Sequence, residues 1–376
     1  MLIYMVFLAA VVLPGIPMCR NRLGKAIYCS IAGCALFVFA AIRKYTGYDY
    51  NLYGNIFLDY LKMSVDEIGY HRFEKGIAMP MKILGDVFYM DYQTMFYVYA
   101  FLFALMLMLI LYKTSDKPYI GVFFFFTLGV FFNSLNFMRQ MLAAFIIVLG
   151  MRYIKNNQFF RYLIIVLFAS CFHLSALVMI PFYFILKIKL TPVTLGIYSG
   201  IGILVFLFSW EVIQFLTQHF LPKYYHSGPM PTTGELSGTH WPIYVVYSGI
   251  LFIISMLFRK RLIEKDPFNT VWLNCGFFMF YFDLISLKHN IVGRLEIPFM
   301  IPFAVIVLPK TIECIIEWCK EKFRKDKKQR TISSAVAVAS VMLLCVGMYG
   351  YMIENNYNGV NPYQTIFGNA VWEAPK

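Results

Sequence analysis

The sequence predicts an all-α fold: a polytopic integral membrane protein with about 11 to 12 transmembrane or re-entrant helices and two larger outer segments. The first observation is composition, since 60% of the 376 residues are hydrophobic and only 14% are charged, whereas a soluble domain has about 25% charged residues. The second is that the hydrophobic residues form runs of the length that a membrane helix needs, about 20 residues. Together these observations exclude an ordinary soluble domain.

The apolar runs define the predicted helices in chain order. The first run is predicted to be a retained membrane helix and not a secretory signal peptide, because no basic residue precedes Arg20 and no small-residue cleavage site follows. We expect all the runs to belong to a single membrane domain covering residues 1–376. The runs are 1–18, 26–42, 94–112, 119–133, 138–152, 160–187, 193–209, 243–258, 268–287, 295–309 and 331–352.

The distribution of basic residues predicts the orientation of the chain. If the N-terminus lies outside, 22 of the 33 basic residues and seven of the 20 acidic residues fall on the cytoplasmic side, in agreement with the positive-inside rule. The inner side then carries a net charge of +15 and the outer side −2. The formal net charge of +13 is therefore explained by topology, and nucleic acid is excluded as a partner.

The segment 160–187 is predicted to be a helical hairpin. Basic residues mark both of its ends, so it must enter and leave on the inner side. Its 28 residues are too few for two full spans, and we infer two short helices that meet near Cys171–Ser175, with His173 at the outer tip. The alternative, a single tilted helix, would invert every later loop against the basic cluster at 259–265.

Two outer segments interrupt the alternation of helices and loops. The segment 43–93 mixes charged with aromatic residues, and its weakly apolar stretch 76–90 predicts an interfacial or re-entrant helix. The segment 210–242 is rich in proline and glycine, which resist regular structure. This second segment is predicted to be an outer lid-like loop.

Polar residues in or beside the apolar runs are the candidate functional residues, because a charged side chain at the bilayer centre costs about 2.5 to 3.5 kcal/mol. Arginines and a histidine on one membrane face suit an anionic ligand such as a lipid-linked diphosphate, since the planar guanidinium binds phosphate oxygens in bidentate fashion. The candidates gather on the predicted outer side and are Arg43, Asp49, Glu67, His71, Arg72, Asn133, Asn136, Arg139, Gln140, His173, Ser175, Asp283, Lys288, His289 and Arg294.

The same residues also have structural interpretations. Arg139 can anchor a helix by extending to the interface, and His173 can cap the hairpin. Arg294 can anchor a helix end through a carboxylate partner, and the carboxylates of the first outer segment can be ordinary solvated groups. The eight cysteines are scattered, mostly within apolar runs, and have no metal-type spacing. We therefore expect small core cysteines, no metal site and no cofactor.

A set of short motifs follows in order along nearly the whole chain. They are Arg43-Lys-Tyr-Thr-Gly47-Tyr-Asp49-Tyr-Asn-Leu-Tyr53, Glu67-Ile-Gly69-Tyr70, Asn136-Phe-Met-Arg139-Gln140-Met-Leu-Ala143, Phe172-His173-Leu-Ser175-Ala176, Arg294 and Asn361-Pro362-Tyr363. This ordered set resembles the EpsG family of exopolysaccharide polymerases, relatives of the Wzy O-antigen polymerases.

The resemblance implies a membrane glycosyltransferase. A glycan on undecaprenyl diphosphate would be transferred to the non-reducing end of a second lipid-linked oligosaccharide repeat unit, without a metal, at the outer face of the bacterial cytoplasmic (inner) membrane. The implied product is an exopolysaccharide, a capsule or an O-antigen. The implied partners are the undecaprenyl-diphosphate-linked donor and acceptor, membrane lipid, and a chain-length regulator and flippase of the same pathway.

The site residues follow from the motifs that this chain shares with the family. The predicted catalytic residues are His173, as a base or a diphosphate donor, and Asp49 and Glu67, as competing bases. Arg139 and Arg294 are assigned to the diphosphates, with Arg43 as a third candidate. The predicted substrate-binding residues are Arg139, Arg294, Arg43, Gln140, Asn136, Tyr53 and Ser175.

Two other classes of function fit a basic outer face. A flippase or transporter of lipid-linked oligosaccharide would need basic residues in a cavity open to both leaflets. An O-antigen-ligase-like or acyl-transfer enzyme would use a similar outer site on a different acceptor. Loss of a polymerase should leave single lipid-linked repeats on the outer side of the membrane. Loss of a flippase should leave them on the inner side.

Overall fold

The computed structural model describes residues 1–68, 73–208, 211, 240–287 and 293–368, and over these residues the predicted all-α fold is confirmed. Most of the predicted lid-like loop 210–242 lies outside the described residues, as do His71, Arg72, Lys288 and His289. The helices are α1 (Leu2–Val12), α2 (Gly15–Met18), α3 (Arg22–Ala41), α4 (Tyr50–Lys62), α5 (Val65–Ile68), α6 (Lys75–Asp86), α7 (Tyr92–Thr114), α8 (Pro118–Thr127), α9 (Val130–Asn136), α10 (Met138–Gly150), α11 (Arg152–Lys155), α12 (Phe159–Ser170), α13 (Met179–Ile185), α14 (Pro192–Leu207), α15 (His240–Leu257), α16 (Arg259–Lys265), α17 (Asn269–Ser286), α18 (Ile297–Pro302), α19 (Leu308–Lys322) and α20 (Lys327–Glu354). Shorter 3₁₀ segments are Leu174–Val178, Arg294–Glu296 and Tyr357–Gly359, and a π-helical segment is Phe303–Val307.

The helices differ in whether they are long enough to cross a membrane. Among the described residues, four helical stretches pass on length and composition: Arg22–Ala41, Tyr92–Thr114, Arg294–Lys322 and Lys327–Glu354. The total rises to six if each of two bent pairs, α8 with α9 and α15 with α16, counts as one span. The remaining apolar runs form shorter helices, because bends and turns divide them. The described residues therefore contain fewer full-length spans than the sequence has apolar runs.

The chain divides into two compact units. The first unit comprises Met1–Tyr183 and Ala304–Lys376, and the second comprises Phe184–Phe303. The assignment of all 376 residues to one membrane domain remains a prediction.

Side-chain caps fix where two of the long helices of the first unit, α3 and α7, begin. Asn21 accepts a hydrogen bond from the Gly24 N–H at 2.7 Å at the start of α3, and Asp91 accepts one from the Thr94 N–H at 3.2 Å at the start of α7. Such caps satisfy backbone donors that have no partner within the helix. α3 and α7 pack along each other. The phenylalanine run 123–126 of α8 is buried in the core of this unit.

A bend of 63° separates α8 from α9. Gly129 stands at the bend with φ of +76°, a left-handed conformation that residues with a Cβ atom seldom adopt. The bend ends α8 after ten residues and turns α9 aside. The polar residues that follow, from Asn133 to Gln140, are thereby brought beside the first outer segment, as their contacts show.

The segment 160–187 reverses direction, so it is not the single tilted helix that was the alternative. The Tyr162 hydroxyl, on α12, donates to the Met179 carbonyl oxygen at 3.1 Å. The rings of Phe159 and Tyr183, near the two ends of the hairpin, lie 5.0 Å apart between centroids. The turn at 171–173 and the 3₁₀ segment Leu174–Val178 form the tip.

The residues after α20 pack against the loop 43–49, and we call residues 356–366 the C-terminal clasp. The Gly47 N–H donates to the Gly359 carbonyl oxygen at 2.8 Å, and the Lys44 N–H donates to the Gln364 carbonyl oxygen at 2.9 Å. Because these are backbone hydrogen bonds between segments far apart in sequence, they fix the conformation of the loop that carries Asp49.

In the second unit, α14 begins with a capping box between Thr191 and Thr194. The Asn274 side-chain amide, on α17, donates to the carbonyl oxygens of Leu186 and Ile188 at 2.9 Å each. This buried amide therefore ties the segment that precedes α14 to α17.

Candidate active site

The candidate site of the first unit is built around Arg139, at the start of α10. Its guanidinium forms an ion pair with Glu74 and lies over the ring of Phe73, 3.9 Å from the centroid. A cation over an aromatic face is attracted by the ring, more strongly where water is excluded. Arg139 is largely buried in this setting, so its side chain is held in one place by two contacts.

Glu74 joins three elements at this point. It stands directly before α6, one of its carboxylate oxygens pairs with Arg139 on α10, and the other accepts a hydrogen bond from the Leu174 N–H at 3.1 Å. The hairpin tip is also bound to α6 by the Gly76 N–H, which donates to the Cys171 carbonyl oxygen at 2.9 Å. The hairpin tip is thus fixed beside Arg139 by one side-chain and one backbone hydrogen bond.

Gly76 is required for this close approach, and Gly76→Ala tests it. A Cβ atom at position 76 would overlap the Cys171 carbonyl group, which is backbone and cannot rotate away. We expect the free energy of unfolding to fall by about 1 to 3 kcal/mol, the usual cost of overpacking, and the apparent Tm of the purified protein to fall. The control is Gly347→Ala in α20, where an added Cβ meets no atom within 4 Å. Equal Tm values for the two variants would contradict the contact.

The hydrogen bonds of His173 define its tautomer. The Ser175 N–H donates to His173 Nδ1 at 3.2 Å, and the Ser175 Oγ lies 2.8 Å from the same nitrogen. Because a backbone N–H can only donate, Nδ1 must accept, and the neutral ring then carries its proton on Nε2. The Gln140 side-chain amide donates to Ser175 Oγ at 3.4 Å. The Ser175 hydroxyl can therefore donate its own proton to His173 Nδ1. His173 therefore presents Nε2–H, a donor.

Tyr53 and Asp49 lie on the α4 side of the same site. The Tyr53 hydroxyl is within 3.5 Å of the Arg139 backbone N–H. Burial raises the pKa of the Tyr53 hydroxyl, with Arg139 opposing and the Asp49 carboxylate adding to the rise. Asp49 itself is half-buried, and its backbone N–H is held by the Asn136 side chain at 3.2 Å. A carboxylate therefore lies within electrostatic reach of Tyr53.

An apolar cavity of about 100 Å³ adjoins Arg139. Its walls come from α4, α6, α7, α10 and the hairpin tip, and Tyr53 and Arg139 are among the lining residues. The Tyr99 hydroxyl and Arg139 Nε are buried, and neither has a hydrogen-bond partner within the described part of the chain. The site thus combines a fixed cation with an apolar space.

Arg43 and Asn136 bind backbone groups of the protein, and their assignment to the substrate stays a prediction. Arg43 is 1% exposed, and its guanidinium donates to the carbonyl oxygens of Thr46 at 2.9 Å and Leu135 at 2.6 Å. The Asn136 side-chain NH₂ donates to the Asn358 carbonyl oxygen at 2.6 Å. Both side chains satisfy backbone groups of the loop 43–49, of α9 and of the C-terminal clasp, so their donors are used for folding.

Glu67 caps a helix, and its role as a base stays a prediction. Its exposed carboxylate accepts a hydrogen bond from the Ser64 N–H at 2.6 Å, while the Glu67 N–H donates to Ser64 Oγ at 3.3 Å. This is a capping box at the start of α5. The hydrogen bonds from Ser64 lower the pKa of the Glu67 carboxyl, which makes it a weaker base.

Arg294 belongs to the second unit, where it begins a 3₁₀ turn and is exposed. Two residues further, the buried Glu296 carboxyl is hydrogen-bonded to that of Asp283, which also accepts from the Ser248 hydroxyl at 2.6 Å. Two carboxyl groups in direct contact must share a proton. The assignment of Arg294 to a diphosphate remains a prediction.

Sequence reasoning missed Glu74, Phe73 and Tyr99. A carboxylate in a polar segment has no local signal that marks its partner, and Arg139 is 65 residues away. Tyr99 lies within an apolar run, where the sequence does not distinguish a tyrosine from an ordinary core residue. One signal was available: Glu74 directly follows an aromatic residue and directly precedes a weakly apolar helix, a suitable place for a residue at a membrane interface.

Comparison with known proteins gives one result. The model of a protein family described as the EpsG family matches residues 26–365. Neither a curated protein nor a solved structure matches the chain.

Proposed function

Because this match covers most of its length, the chain belongs to the EpsG family, and we propose that it polymerises undecaprenyl-diphosphate-linked oligosaccharide repeat units at the outer face of the cytoplasmic membrane. The family suggests a polysaccharide polymerase, and the apolar helices indicate a multi-pass membrane protein. The observation that best supports the finer proposal is the position of Arg139, a largely buried cation beside an apolar cavity. A lipid diphosphate has the matching chemistry, an anion joined to an apolar chain.

In the proposed reaction, an acceptor hydroxyl oxygen forms a bond to the anomeric carbon of the sugar attached to the donor diphosphate. The bond between that carbon and the diphosphate oxygen breaks, and its electron pair leaves with the diphosphate. The hydroxyl proton passes to a base. The protein therefore needs a cation and hydrogen-bond donors at the leaving group and a carboxylate or similar base at the acceptor.

The first unit offers a group for each task. Arg139 would bind the diphosphate oxygens, and His173 would donate from Nε2 to the same leaving group. Asp49 is the better base, because Glu67 is engaged in a cap and His173 accepts through Nδ1. Gln140 and Ser175 would act through His173, by fixing its ring.

Contacts within the first unit support the proposed topology. The loop 43–49 belongs to the first outer segment, and the C-terminal clasp is expected on the same side because the run 331–352 follows a basic inner segment; the two are bound to each other. Lys25 and Asp116, both expected inside, form an ion pair of 3.7 Å. Segments that the positive-inside rule assigns to one side of the membrane are therefore in contact with each other.

Deletion of the gene tests the proposal. We expect long glycan chains to disappear and single lipid-linked repeats to accumulate on the outer face of the membrane, with recovery when the wild-type gene is returned. Accumulation on the inner face would indicate a flippase instead. Unchanged glycan chain lengths in the deletion strain would overturn the proposed function.

A further inference from the structure

The connection between α19 and α20 carries the highest density of positive charge in the chain. From Lys320 to Arg330, seven of 11 residues are basic and two are acidic, a net charge of +5. One of the two acidic residues, Asp326, caps α20 by accepting a hydrogen bond from the Gln329 N–H at 2.9 Å. All residues from Arg324 to Lys328 are exposed. We call residues 318–330 the basic connection, and its charge favours a negatively charged partner.

The basic connection joins two long helices, which places it at a membrane surface. The stretches Arg294–Lys322 and Lys327–Glu354 are each long and apolar enough to cross a membrane, and α19 packs against α20. The chain therefore turns back between them, at the level where a spanning helix leaves the hydrocarbon core. The anions nearest to that level in a bilayer are the phosphates of lipid headgroups.

α20 exposes an apolar face directly after these charges. Among the four spanning stretches of the described residues, its apolar window is the least buried, at 11% of the residues, whereas the other three are 33%, 61% and 83% buried. Ile332 and Val336 are 51% and 59% exposed. They follow Lys328 by four and eight residues, so all three side chains lie on one face of the helix. A phospholipid has the same order, an anionic phosphate followed by an apolar chain.

An aromatic side chain borders the charges on the α19 side. Trp318 is 38% exposed, and Lys322, one turn later, places Nζ over its ring at 4.7 Å from the centroid. Tryptophan is enriched at the interface between membrane and water. A lysine at that depth lays its apolar stem on neighbouring groups and directs its ammonium group to the headgroups. The end of α19 thus has the composition of an interfacial anchor.

We propose that the basic connection binds an anionic phospholipid such as phosphatidylglycerol. The basic side chains from Arg324 to Lys328 bind its phosphate, and one acyl chain lies along Ile332 and Val336 of α20. Each basic residue close to an anionic membrane surface strengthens such binding about fivefold. This binding is independent of the proposed polymerase function, because none of these residues belongs to the site around Arg139.

The neighbouring apolar residues favour a lipid over an acidic protein. Ile332 and Val336 lie inside the predicted span 331–352, where an acidic protein segment would have to leave water in order to reach them. A soluble anion such as inorganic phosphate has no apolar part that could cover them. A phospholipid already has its phosphate and its acyl chain at these two levels.

Photolabelling locates the lipid. The purified full-length protein is placed in phosphatidylcholine nanodiscs that contain phosphatidylglycerol with a diazirine near the start of one acyl chain. We expect crosslinks at Ile332, Val336 or Trp318 that decrease when unlabelled phosphatidylglycerol is added and persist when inorganic phosphate is added. Crosslinks only outside residues 318–336 would overturn the proposal. Equal competition by phosphatidylcholine or by inorganic phosphate would also overturn it, because the site would then not select an anionic lipid.

A triple substitution tests the charges. The exposed side chains can be changed without opening the core, so we expect an unchanged Tm for Lys325→Gln combined with Lys327→Gln and Lys328→Gln. The preference for labelled phosphatidylglycerol over equally labelled phosphatidylcholine, measured at Ile332 and Val336, should fall about tenfold or more. The matching triple substitution to arginine keeps the charge and should keep the preference. A full preference in the glutamine variant, or its loss in the arginine variant, would overturn the role of charge.

A second triple substitution controls for net charge. It removes three exposed basic residues from another basic segment of the first unit, and it combines Arg152→Gln, Lys155→Gln and Arg161→Gln. We expect this variant to retain the preference within about twofold, because these charges are not next to the α20 face. An equal loss in both glutamine variants would show that only the overall charge matters, and would overturn the site.

Salt gives an independent measurement on the unmodified protein. At about 1 M salt the Debye length falls to about 3 Å, so exposed charges are screened. The preference of the wild-type protein for phosphatidylglycerol should then fall toward that of the glutamine variant at 325, 327 and 328, whose own preference should change little. A wild-type preference that is the same at low and high salt would overturn the proposal, since the lipid would be held by apolar contacts alone.

Discussion

Arg139→Lys is expected to reduce polymer formation on the order of a hundredfold or more, while the abundance of the protein in the membrane stays near normal. Lysine keeps the positive charge and can still pair with Glu74 and lie over Phe73. It lacks the planar fork with which arginine holds a carboxylate on one nitrogen and a phosphate oxygen on another. The measurement is the glycan chain-length distribution in cells, with the amount of membrane protein measured in parallel.

The structure supplies a matched control for this substitution. Arg161 is an exposed arginine of α12 whose guanidinium donates to Gln158 at 3.1 Å, and Arg161→Lys should leave the glycan unchanged. If a well-expressed Arg139→Lys strain makes glycan of normal length, the charge alone is sufficient. Arg139 would then be one half of a structural ion pair, and its role at the diphosphate would be refuted.

His173→Asn is expected to abolish most of the polymer, on the order of a hundredfold, and His173→Gln to retain part of it. Asparagine can accept the hydrogen bond from the Ser175 N–H with its side-chain oxygen, and the two amides differ in where their NH₂ group lies. The shorter asparagine reproduces the Nδ1 position and is a good helix cap, so the hairpin tip should fold normally. The longer glutamine can place its NH₂ group near the position of Nε2, from which the histidine donates.

The pair of variants separates three roles for His173. If His173 acts as a donor, the Gln variant should make more polymer than the Asn variant at equal protein abundance. If it acts as a base, both variants should fail to make polymer, because an amide does not take up a proton near neutral pH. A purely structural cap predicts that Asn behaves as wild type. Wild-type glycan in the Asn variant would therefore remove His173 from the chemistry.

The positions of the helices could be predicted from the sequence, because apolar runs and basic flanks report directly on the membrane. The hairpin at 160–187 is an example, since its two basic ends required a reversal. The bend at Gly129 could not be predicted in the same way, because a glycine within an apolar run is compatible with a straight helix. The length of the apolar run 119–133 therefore predicts one span, whereas the structure has two helices that meet at a bend of 63°.

The polar residues were harder to interpret than the helices. Arg43 and Asn136 are predicted to bind a ligand because each is polar, lies beside an apolar run and begins one of the ordered motifs. Their actual partners are carbonyl oxygens of Leu135 and Asn358, which are 92 and 222 residues away in the chain. A sequence shows that a buried donor needs an acceptor, but it does not show whether that acceptor is substrate or backbone.

The C-terminal clasp has a consequence for the order of events during biosynthesis. Asp49 is made early, yet the loop that carries it is held by backbone groups between residues 358 and 364. The helices that precede the clasp can therefore be inserted and packed while this loop still lacks its C-terminal partners. We expect a chain that has not yet been translated through the clasp to be inactive, so that catalytic competence appears late and abruptly as synthesis proceeds.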